Sequence, residues 1–302
     1  MDFELVADGL GFPEGPVVMA DGSVIVVEIQ KGQISRHWGK GKSEVVATPG
    51  GGPNGLAIGP DGALWCCNNG GFQWSHVEGL LIPGNAADDY SGGRIERIDL
   101  STGKVERVLD SVGGNKLKGP NDLVFDKAGN LYFTDHGKSY SRHRDYGGLF
   151  FLARGASEAK ELDFHYSSPN GVGLSPDEQT VFMADTMTGR MWAFDLAAPG
   201  EIKPASPFNG GRVVATMPGL QYFDSLAMTA AGNVCVATIL NGGITTITPE
   251  GEFSHTAFPD LLVTNIAFGG DDMKDAWLTL SSTGQLIKCR WPEPGLVLNF
   301  NA

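Results

Sequence analysis

Short apolar runs alternate with turn signals along the whole chain, and one arrangement returns six times. The stretch GPNDLVFDKAGNLYFTD at 119–135 shows it: a polar residue opens an apolar run, a turn follows, and a second run ends on another polar residue. Close copies are GPNGLAIGPDGALWCCN at 52–68 and SPNGVGLSPDEQTVFMAD at 168–185. Two alternating runs joined by such a turn predict a β-hairpin.

Each hairpin is followed by a third run led by glycine, such as GRIERIDL at 93–100, and in most copies by a fourth, such as RVVATM at 212–217. Six units of four strands predict an all-β fold, a six-bladed β-propeller, with residues 1–302 forming a single domain. The sixth unit lacks a clear fourth strand. We expect residues 3–6 to supply it by closing the ring beside residues 285–290.

The polar residue that opens each hairpin is called its anchor. The six anchors are Glu14, Asn54, Asn121, Asn170, Asp224 and Asn265. Because the innermost strand of a blade comes first, the anchors should form a ring at one mouth of the central channel. All six carry side-chain oxygens, and hard cations such as Ca²⁺ take about six to eight oxygen ligands. Asn and Asp at strand starts also satisfy turn backbone, but six in one register favour a divalent cation site.

The loops between the second and third strands of each blade should lie on the same face as the anchors. Two of these loops are long, at 69–91 and 136–146. The first carries Phe72, Trp74 and the apolar run 80–82, and the second begins with His136. Long loops on one face of a rigid scaffold commonly carry binding specificity. For any single loop residue, a solvated position is the alternative.

The amino-acid composition limits the classes of binding partner and the cellular location that we expect. A net charge of −13 disfavours nucleic acid and anionic membranes, which attract basic surfaces. The first residues, MDFELVADGL, lack a basic region and an apolar run, so we expect no signal peptide, and no segment has the length of a membrane span. Four cysteines without metal-type spacing are expected to be buried thiols in a reducing compartment, which predicts a cytoplasmic location.

The motifs FPEGP at 12–16, GPNDLVFDKAGNLYFTD, SPNGVGLSPD and FDSLAM at 223–228 occur in order along the whole chain. In them the sequence resembles the gluconolactonase/senescence-marker-protein (regucalcin) family of calcium-binding six-bladed propellers. The resemblance implies hydrolysis of a small-molecule lactone, often a sugar lactone. It also implies the metal ligands Glu14, Asn170 and Asp224, with Asn121 as a fourth ligand or a substrate-orienting group. Ca²⁺ is the expected ion; Mg²⁺ and Mn²⁺ suit the same oxygens, and Zn²⁺ is less expected without His or Cys ligands.

In the implied chemistry, the ion polarises the lactone carbonyl and stabilises the oxyanion that forms. Asp224 would act as general base on the attacking water, and His136 is a rival base. The expected substrate contacts are Asn121, Trp74, His136 and Tyr222. Animal members that process sugar lactones carry an Arg where this chain has Gly119, so a less polar lactone is an alternative substrate.

Two other functions use the same scaffold. A phosphotriesterase of the diisopropyl-fluorophosphatase type also surrounds calcium with Glu, two Asn and Asp, so the ligand set does not separate it from a lactonase. A non-enzymatic calcium-binding propeller is the third candidate, since fold alone does not determine function. Glu14 and Asp224, expected opposite each other at the mouth, favour an enzyme. The oligomeric state is left open.

Overall fold

The computed structural model describes residues 1–301, and it confirms the all-β, six-bladed propeller. Six main sheets, here called blades 1 to 6, each run from an innermost strand at the channel to an outermost strand at the rim. In residues 1–301 the one helical element is a single 3₁₀ turn at Ile29–Lys31. No helix in this described part has the length and apolarity needed to cross a membrane.

The first three blades follow the chain order from the channel outward. Blade 1 contains Pro13–Val18, Val24–Glu28, Gln33–Gly39 and Lys42–Ala47. Blade 2 contains Pro53–Ile58, Leu64–Asn68, Arg94–Ile98 and Val105–Leu109, and a short ribbon of Ser111–Val112 and Asn115–Lys116 follows it. Blade 3 contains Pro120–Phe125, Leu131–Asp135, Gly147–Leu152 and Lys160–Tyr166.

The last three blades complete the ring. Blade 4 contains Pro169–Leu174, Thr180–Asp185, Arg190–Ala198 and Arg212–Thr216, with Glu201–Ile202 added at its rim. Blade 5 contains Tyr222–Met228, Val234–Ile239, Gly243–Ile247 and Phe253–Ala257. Blade 6 contains Val263–Gly269, Asp275–Leu280 and Gln285–Arg290, and its outermost strand is Phe3–Ala7 from the start of the chain. Phe3–Ala7 pairs antiparallel with Gln285–Arg290, so the first strand of the chain completes the sheet formed by its last three strands.

The core lies between neighbouring blades, where apolar side chains of facing sheets interdigitate. Between blades 3 and 4, for example, Val124 and Tyr132 pack in one cluster with Val172 and Met183. The innermost strands of blades 1 to 4 are buried along their whole length, as expected for strands enclosed on both faces. The four cysteines are unpaired and buried, which confirms that part of the prediction.

The region 69–91, expected to be a loop, contains a β-hairpin whose register shifts between Phe72 and Trp74. Its strands, Phe72–Val77 and Leu80–Ala86, pair in antiparallel register, and residues 72–86 are called the mouth hairpin below. Glu78 and Gly79 connect the strands, both with positive φ angles of 52° and 85°. A two-residue turn with positive φ at both positions has a backbone twist that matches the right-handed twist of the flanking strands. The alternation of Phe72 and Trp74 with polar residues is typical of a strand, but the length of the region favoured the prediction of a loop.

Candidate metal and substrate site

A break in strand pairing places the anchors in the channel. In five blades the residue before the anchor pairs with a polar residue at the end of the second strand or one position before it, and the register shifts at the anchor or directly after it. The pairs are Pro13 with Glu28, Pro53 with Asn68, Pro120 with Asp135, Pro169 with Asp185, and Phe223 with Thr238. A bulge at this position redirects a side chain out of the sheet. Polar residues open these apolar strands because their side chains leave the sheet and line the channel mouth.

The polar residue at the end of the second strand holds the segment in front of the anchor. Asp135 Oδ1 accepts a hydrogen bond of 2.7 Å from the backbone N–H of Gly119, two residues before Asn121. Asn68 does the same for Gly52 at 2.9 Å, and Asp185 for Ser168 at 3.0 Å. Both polar residues of the repeat therefore serve the site, one by facing the cavity and one by positioning it.

Glycine after the anchor allows the innermost strands to approach one another. A Cβ added to Gly55 would lie 2.6 Å from the backbone oxygen of Asn121, and one added to Gly171 would lie 2.7 Å from the backbone nitrogen of Leu226. Blade 3 has Asp122 at this position instead of glycine, and its Oδ1 lies 2.6 Å from where a Gly55 Cβ would be. The glycine of blade 2 therefore leaves room for a carboxylate from blade 3.

Blade 6 corrects the predicted ring of anchors. Val263 pairs with Leu280, so Thr264, not Asn265, has the place that the anchors have in the other blades. Asn265 donates a hydrogen bond of 2.8 Å from Nδ2 to Glu14 Oε2 and lines the cavity at the opposite mouth. The expectation of six equivalent anchors was wrong because the turn of blade 6 is longer and shifts the apparent spacing by one residue.

The other five anchors line one cavity of about 310 Å³. Two of them, Glu14 and Asp224, are carboxylates at its floor. Burial, and then the negative charge of Asp224, raise the pKa of Glu14 well above its usual value. Burial raises the pKa of Asp224 to about 8. The ionised form of each carboxylate is therefore destabilised, and a positive charge placed between the two would stabilise it.

Several oxygens at this floor lack hydrogen-bond partners. Glu14 Oε1 and Asn121 Oδ1 are buried with no partner in residues 1–301. Asn170 Nδ2 donates 3.0 Å to Thr186 Oγ1, which fixes the amide and leaves Oδ1 with one long contact of 3.4 Å from Ser225 Oγ. Buried oxygens without donors are costly, and these fit an oxygen-seeking cation. Within residues 1–301 no three His, Cys, Asp or Glu side chains cluster to hold a metal, so a cation at this floor would also need amide oxygens as ligands.

Asp122 is a third buried carboxylate that the sequence reasoning missed. The backbone N–H groups of Leu123 and Val172 donate to it at 2.9 and 3.4 Å. Burial raises its pKa to about 7, and its negative charge contributes to the raised pKa of both Glu14 and Asp224. The sequence did contain a sign of this carboxylate, because Asp122 is acidic at the position that is glycine in blades 1, 2 and 4.

His136 lines the cavity next to the anchors. Its Nδ1 lies 3.4 Å from the Arg144 guanidinium and 3.4 Å from the carbonyl oxygen of Gly137. Burial and the positive charge of Arg144 lower the pKa of His136 to about 3. The ring is neutral near pH 7.

The two predicted aromatic contacts have different positions. Tyr222, at the start of the innermost strand of blade 5, lines the cavity together with Asp224. Trp74 is not among the lining residues; its ring centroid lies 5.2 Å from that of Phe12 and 6.1 Å from that of Phe72. Phe12 and Phe72 do line the cavity, so Trp74 supports the wall from behind.

A buried lysine joins the two long loops above the anchors. Lys138 Nζ donates to Asn69 Oδ1 at 2.9 Å and to the carbonyl oxygen of Gly71 at 2.8 Å, and it lies 3.6 Å from the centroid of the Phe72 ring. The side chain is 1% exposed, and burial lowers the pKa of Lys138 to about 7. Neither Lys138 nor Asn69 carried a motif signal, because their contact links distant parts of the chain.

Known proteins resemble this chain in sequence and in fold. A sequence profile described as "SMP-30/Gluconolactonase/LRE-like region" matches residues 12–282. A gluconolactonase of Zymomonas mobilis is 25% identical over 95% of this chain and 80% of its own length. A protein named lactonase drp35 from Staphylococcus saprophyticus is 26% identical over 58% of this chain and 52% of its own length.

Solved structures with the same fold include two from bacteria. A gluconolactonase of Xanthomonas campestris superposes with a TM-score of 0.74 at 19% identity, covering 96% of this chain and 89% of its own. A calcium-binding protein, regucalcin, of Agrobacterium tumefaciens has a TM-score of 0.72 at 19% identity and covers 98% of each chain. At these identities the likeness shows the propeller fold.

Proposed function

Because the chain belongs to the SMP-30/gluconolactonase/LRE-like family, we propose that it is a divalent-metal-dependent lactonase that opens a lactone ring by hydrolysis. The observation that carries the proposal is the convergence of two buried carboxylates and two amide side chains at one cavity floor, where Glu14 Oε1 and Asn121 Oδ1 lack partners. The gluconolactonase and lactonase relatives support the reaction type.

Glu14, Asn121, Asn170 and Asp224 would hold the cation. Their oxygen-only chemistry favours Ca²⁺, with Mg²⁺ and Mn²⁺ as weaker candidates, and the fold neighbour described as calcium-binding supports this choice. When bound, the cation would supply Lewis-acid polarisation of the lactone carbonyl. Asn265, which donates to Glu14 Oε2, leaves Oε1 of the same carboxylate free for a ligand.

Asp224 is the proposed general base. It removes a proton from the attacking water as oxygen adds to the carbonyl carbon, and it returns that proton to the ring oxygen when the carbon–oxygen bond breaks. The product is the open hydroxy acid. His136, neutral at the cavity wall, is proposed to contact the substrate together with Asn121 and Tyr222. Trp74 contributes indirectly, through Phe12 and Phe72.

The test is lactone hydrolysis, followed by proton release, with chelator-treated protein, with calcium restored, and with Asp224→Asn. Activity that returns with calcium, and that Asp224→Asn lowers by about a hundredfold or more, supports the proposal. Turnover of organophosphate triesters without turnover of lactones would replace it with the phosphotriesterase. A melting temperature that rises with calcium, without turnover of either class, would replace it with a non-enzymatic calcium-binding protein.

Two further proposals concern the chain as a whole. We propose that it forms a single domain, supported by the pairing of Phe3–Ala7 with Gln285–Arg290. We also propose a cytoplasmic location, supported by four unpaired, buried cysteines, since secreted proteins tend to oxidise theirs. A small-molecule lactone is the proposed partner.

A further inference from the structure

Resting on the proposed function, we infer that the substrates are lactones with an apolar body, selected by the mouth hairpin, with Asn69 as the hydrogen-bond donor on that side of the cavity. Sugar lactones, which carry a hydroxyl on most ring carbons, are the class that this wall rejects. The inference adds a substrate class and a binding residue to the hydrolysis proposed above.

The cavity has a polar floor and an apolar wall. The anchors form the floor, whereas Phe72, Ile82 and Pro83 of the mouth hairpin form the wall above it. The lining residues from blades 1, 5 and 6 near this wall are also apolar: Phe12, Ile29, Ile239, Leu240 and Leu262. An apolar surface binds the part of a ligand that has no hydrogen-bonding groups, because burial of such surface is favourable.

A sugar lactone would meet this wall with hydroxyl groups. Each hydroxyl that loses water without gaining a partner costs free energy, so a site that accepts polyols needs several donors and acceptors along its sides. Here the polar side chains that line the cavity besides the five anchors are Asn69, His136, Ser139, Thr186 and Tyr222, whereas the lining residues of the mouth hairpin, Phe72, Ile82, Pro83 and Gly84, carry no hydrogen-bonding side chain. An alkyl chain or an aromatic ring carries no such penalty and gains from contact with Phe72 and Ile82.

Asn69 supplies a donor at the edge of the wall. The residue lines the cavity and is 2% exposed, and its Nδ2 has no hydrogen-bond partner in residues 1–301. Its Oδ1 accepts from Lys138 Nζ at 2.9 Å and from the backbone N–H of Gly71 at 2.9 Å. Two donors on Oδ1 fix the amide orientation, so Nδ2 is the group left for an oxygen of the ligand.

The wall is held in place before any ligand binds. The backbone N–H of Leu81 donates 3.0 Å to the carbonyl oxygen of Ser282 in blade 6, and that of Ala86 donates 2.9 Å to Ser139 in blade 3. Lys138 adds a third connection beneath Phe72. Because the hairpin is tied to blade 3 and to blade 6, its apolar face is preorganised, and preorganisation favours discrimination between substrates.

The experiment compares kcat/KM of the calcium-loaded protein for an aliphatic δ-lactone, for dihydrocoumarin and for glucono-δ-lactone. We expect the two apolar lactones to be preferred by about tenfold or more, since contact with one or two buried methylene groups is worth that factor. Ile82→Gln should reduce this preference. The control, Val77→Gln, lies on the same hairpin at a side chain that is 54% exposed and outside the lining, and it should leave the preference unchanged.

Asn69→Asp tests the donor. It keeps an acceptor for Lys138 but removes Nδ2, so we expect KM for the apolar lactones to rise by about tenfold with a smaller change in kcat. An unchanged KM in a variant with the melting temperature of the wild type would overturn the role of Asn69.

The outcomes separate this inference from the proposed function. Calcium-dependent hydrolysis that prefers glucono-δ-lactone, or a preference that Ile82→Gln does not alter, overturns the apolar substrate class and leaves the lactonase standing. Absence of turnover on all three lactones overturns the lactonase itself, and the inference with it.

Discussion

The two mouths of the central channel are built from the two ends of the same six strands, yet they differ in chemistry. The anchor mouth has a cavity of about 310 Å³ with five anchors at its floor. The far mouth has a larger cavity of about 650 Å³, lined by strand ends, turns and residues 296–301. The residues near the chain end cross it: the Leu296 N–H donates 2.8 Å to Met228, and Asn299 Nδ2 donates 3.0 Å to Phe125.

The difference lies in how polar groups are satisfied. At the far mouth the acidic residues of the turns accept from their own turn backbone, as Asp126 does from Asn130 at 2.8 Å and Asp61 from Ala63 at 3.2 Å. At the anchor mouth the bulges turn Glu14 and Asn121 away from the sheet, and one oxygen of each has no partner. Unsatisfied buried oxygens, rather than cavity size, distinguish the mouth at which we propose the chemistry.

The largest expected effect is from Glu14→Gln. Loss of this carboxylate should abolish the rise in melting temperature on adding calcium, because the cation would lose half of the anionic charge proposed to hold it. For the wild type, a ligand at about 100 times its Kd stabilises the fold by about 2.7 kcal/mol. The far-mouth variant Asp126→Asn should keep that rise. A calcium response that survives Glu14→Gln in thermal unfolding would place the cation elsewhere.

Asp122→Asn should have the next largest effect. This carboxylate lines the far-mouth cavity, and its charge raises the pKa of both Glu14 and Asp224. Removing it should stabilise the calcium-free protein by about 1 kcal/mol and weaken calcium binding by about tenfold, since one unit of pKa shift corresponds to about 1.4 kcal/mol. Calorimetric titration with calcium and urea unfolding in chelator measure the two effects. Stronger calcium binding in the variant would contradict this role.

Lys138→Met tests the connection above the anchor mouth. Burial lowers the pKa of Lys138 to about 7 in the folded protein, against 10.5 for the free side chain. Between these values the unfolded chain holds the proton and the folded chain does not, so the contribution of this group to stability rises with pH. The variant should lose about 1–3 kcal/mol, because Asn69 Oδ1 and the Gly71 carbonyl lose a donor. Its unfolding free energy should also rise less between pH 7 and pH 10 than that of the wild type.

Phe300→Ala should have the smallest effect. The ring centroid of this half-buried residue lies 6.2 Å from that of Phe125 at the far mouth. Its removal should cost about 1 kcal/mol of stability, since an aromatic pair contributes about that amount beyond its buried area. Lactone hydrolysis should stay at the wild-type level. A loss of kcat/KM larger than about threefold at full folding would show that the two mouths are coupled.

The sequence alone was sufficient to predict the blades and the face of the propeller on which five of the six anchors lie. Alternation with period two, turn residues and the recurring anchor predicted six four-stranded units, because strand patterning is local. Glu14, Asn121, Asn170 and Asp224 were found by their place in the repeat, and the structure brings them into one cavity together with His136 and Tyr222.

Only the tertiary structure decided the contacts between blades. Thr264 has the position expected for Asn265, and Asp122 occupies the space left by Gly55. Trp74 lies behind the cavity wall and not in it. Asn69 and Lys138 meet across 69 residues of chain, and Glu14 and Asn265 across 251. Such pairs have no local periodicity to reveal them, because closure of the ring, not the pattern within a blade, determines which residues become neighbours.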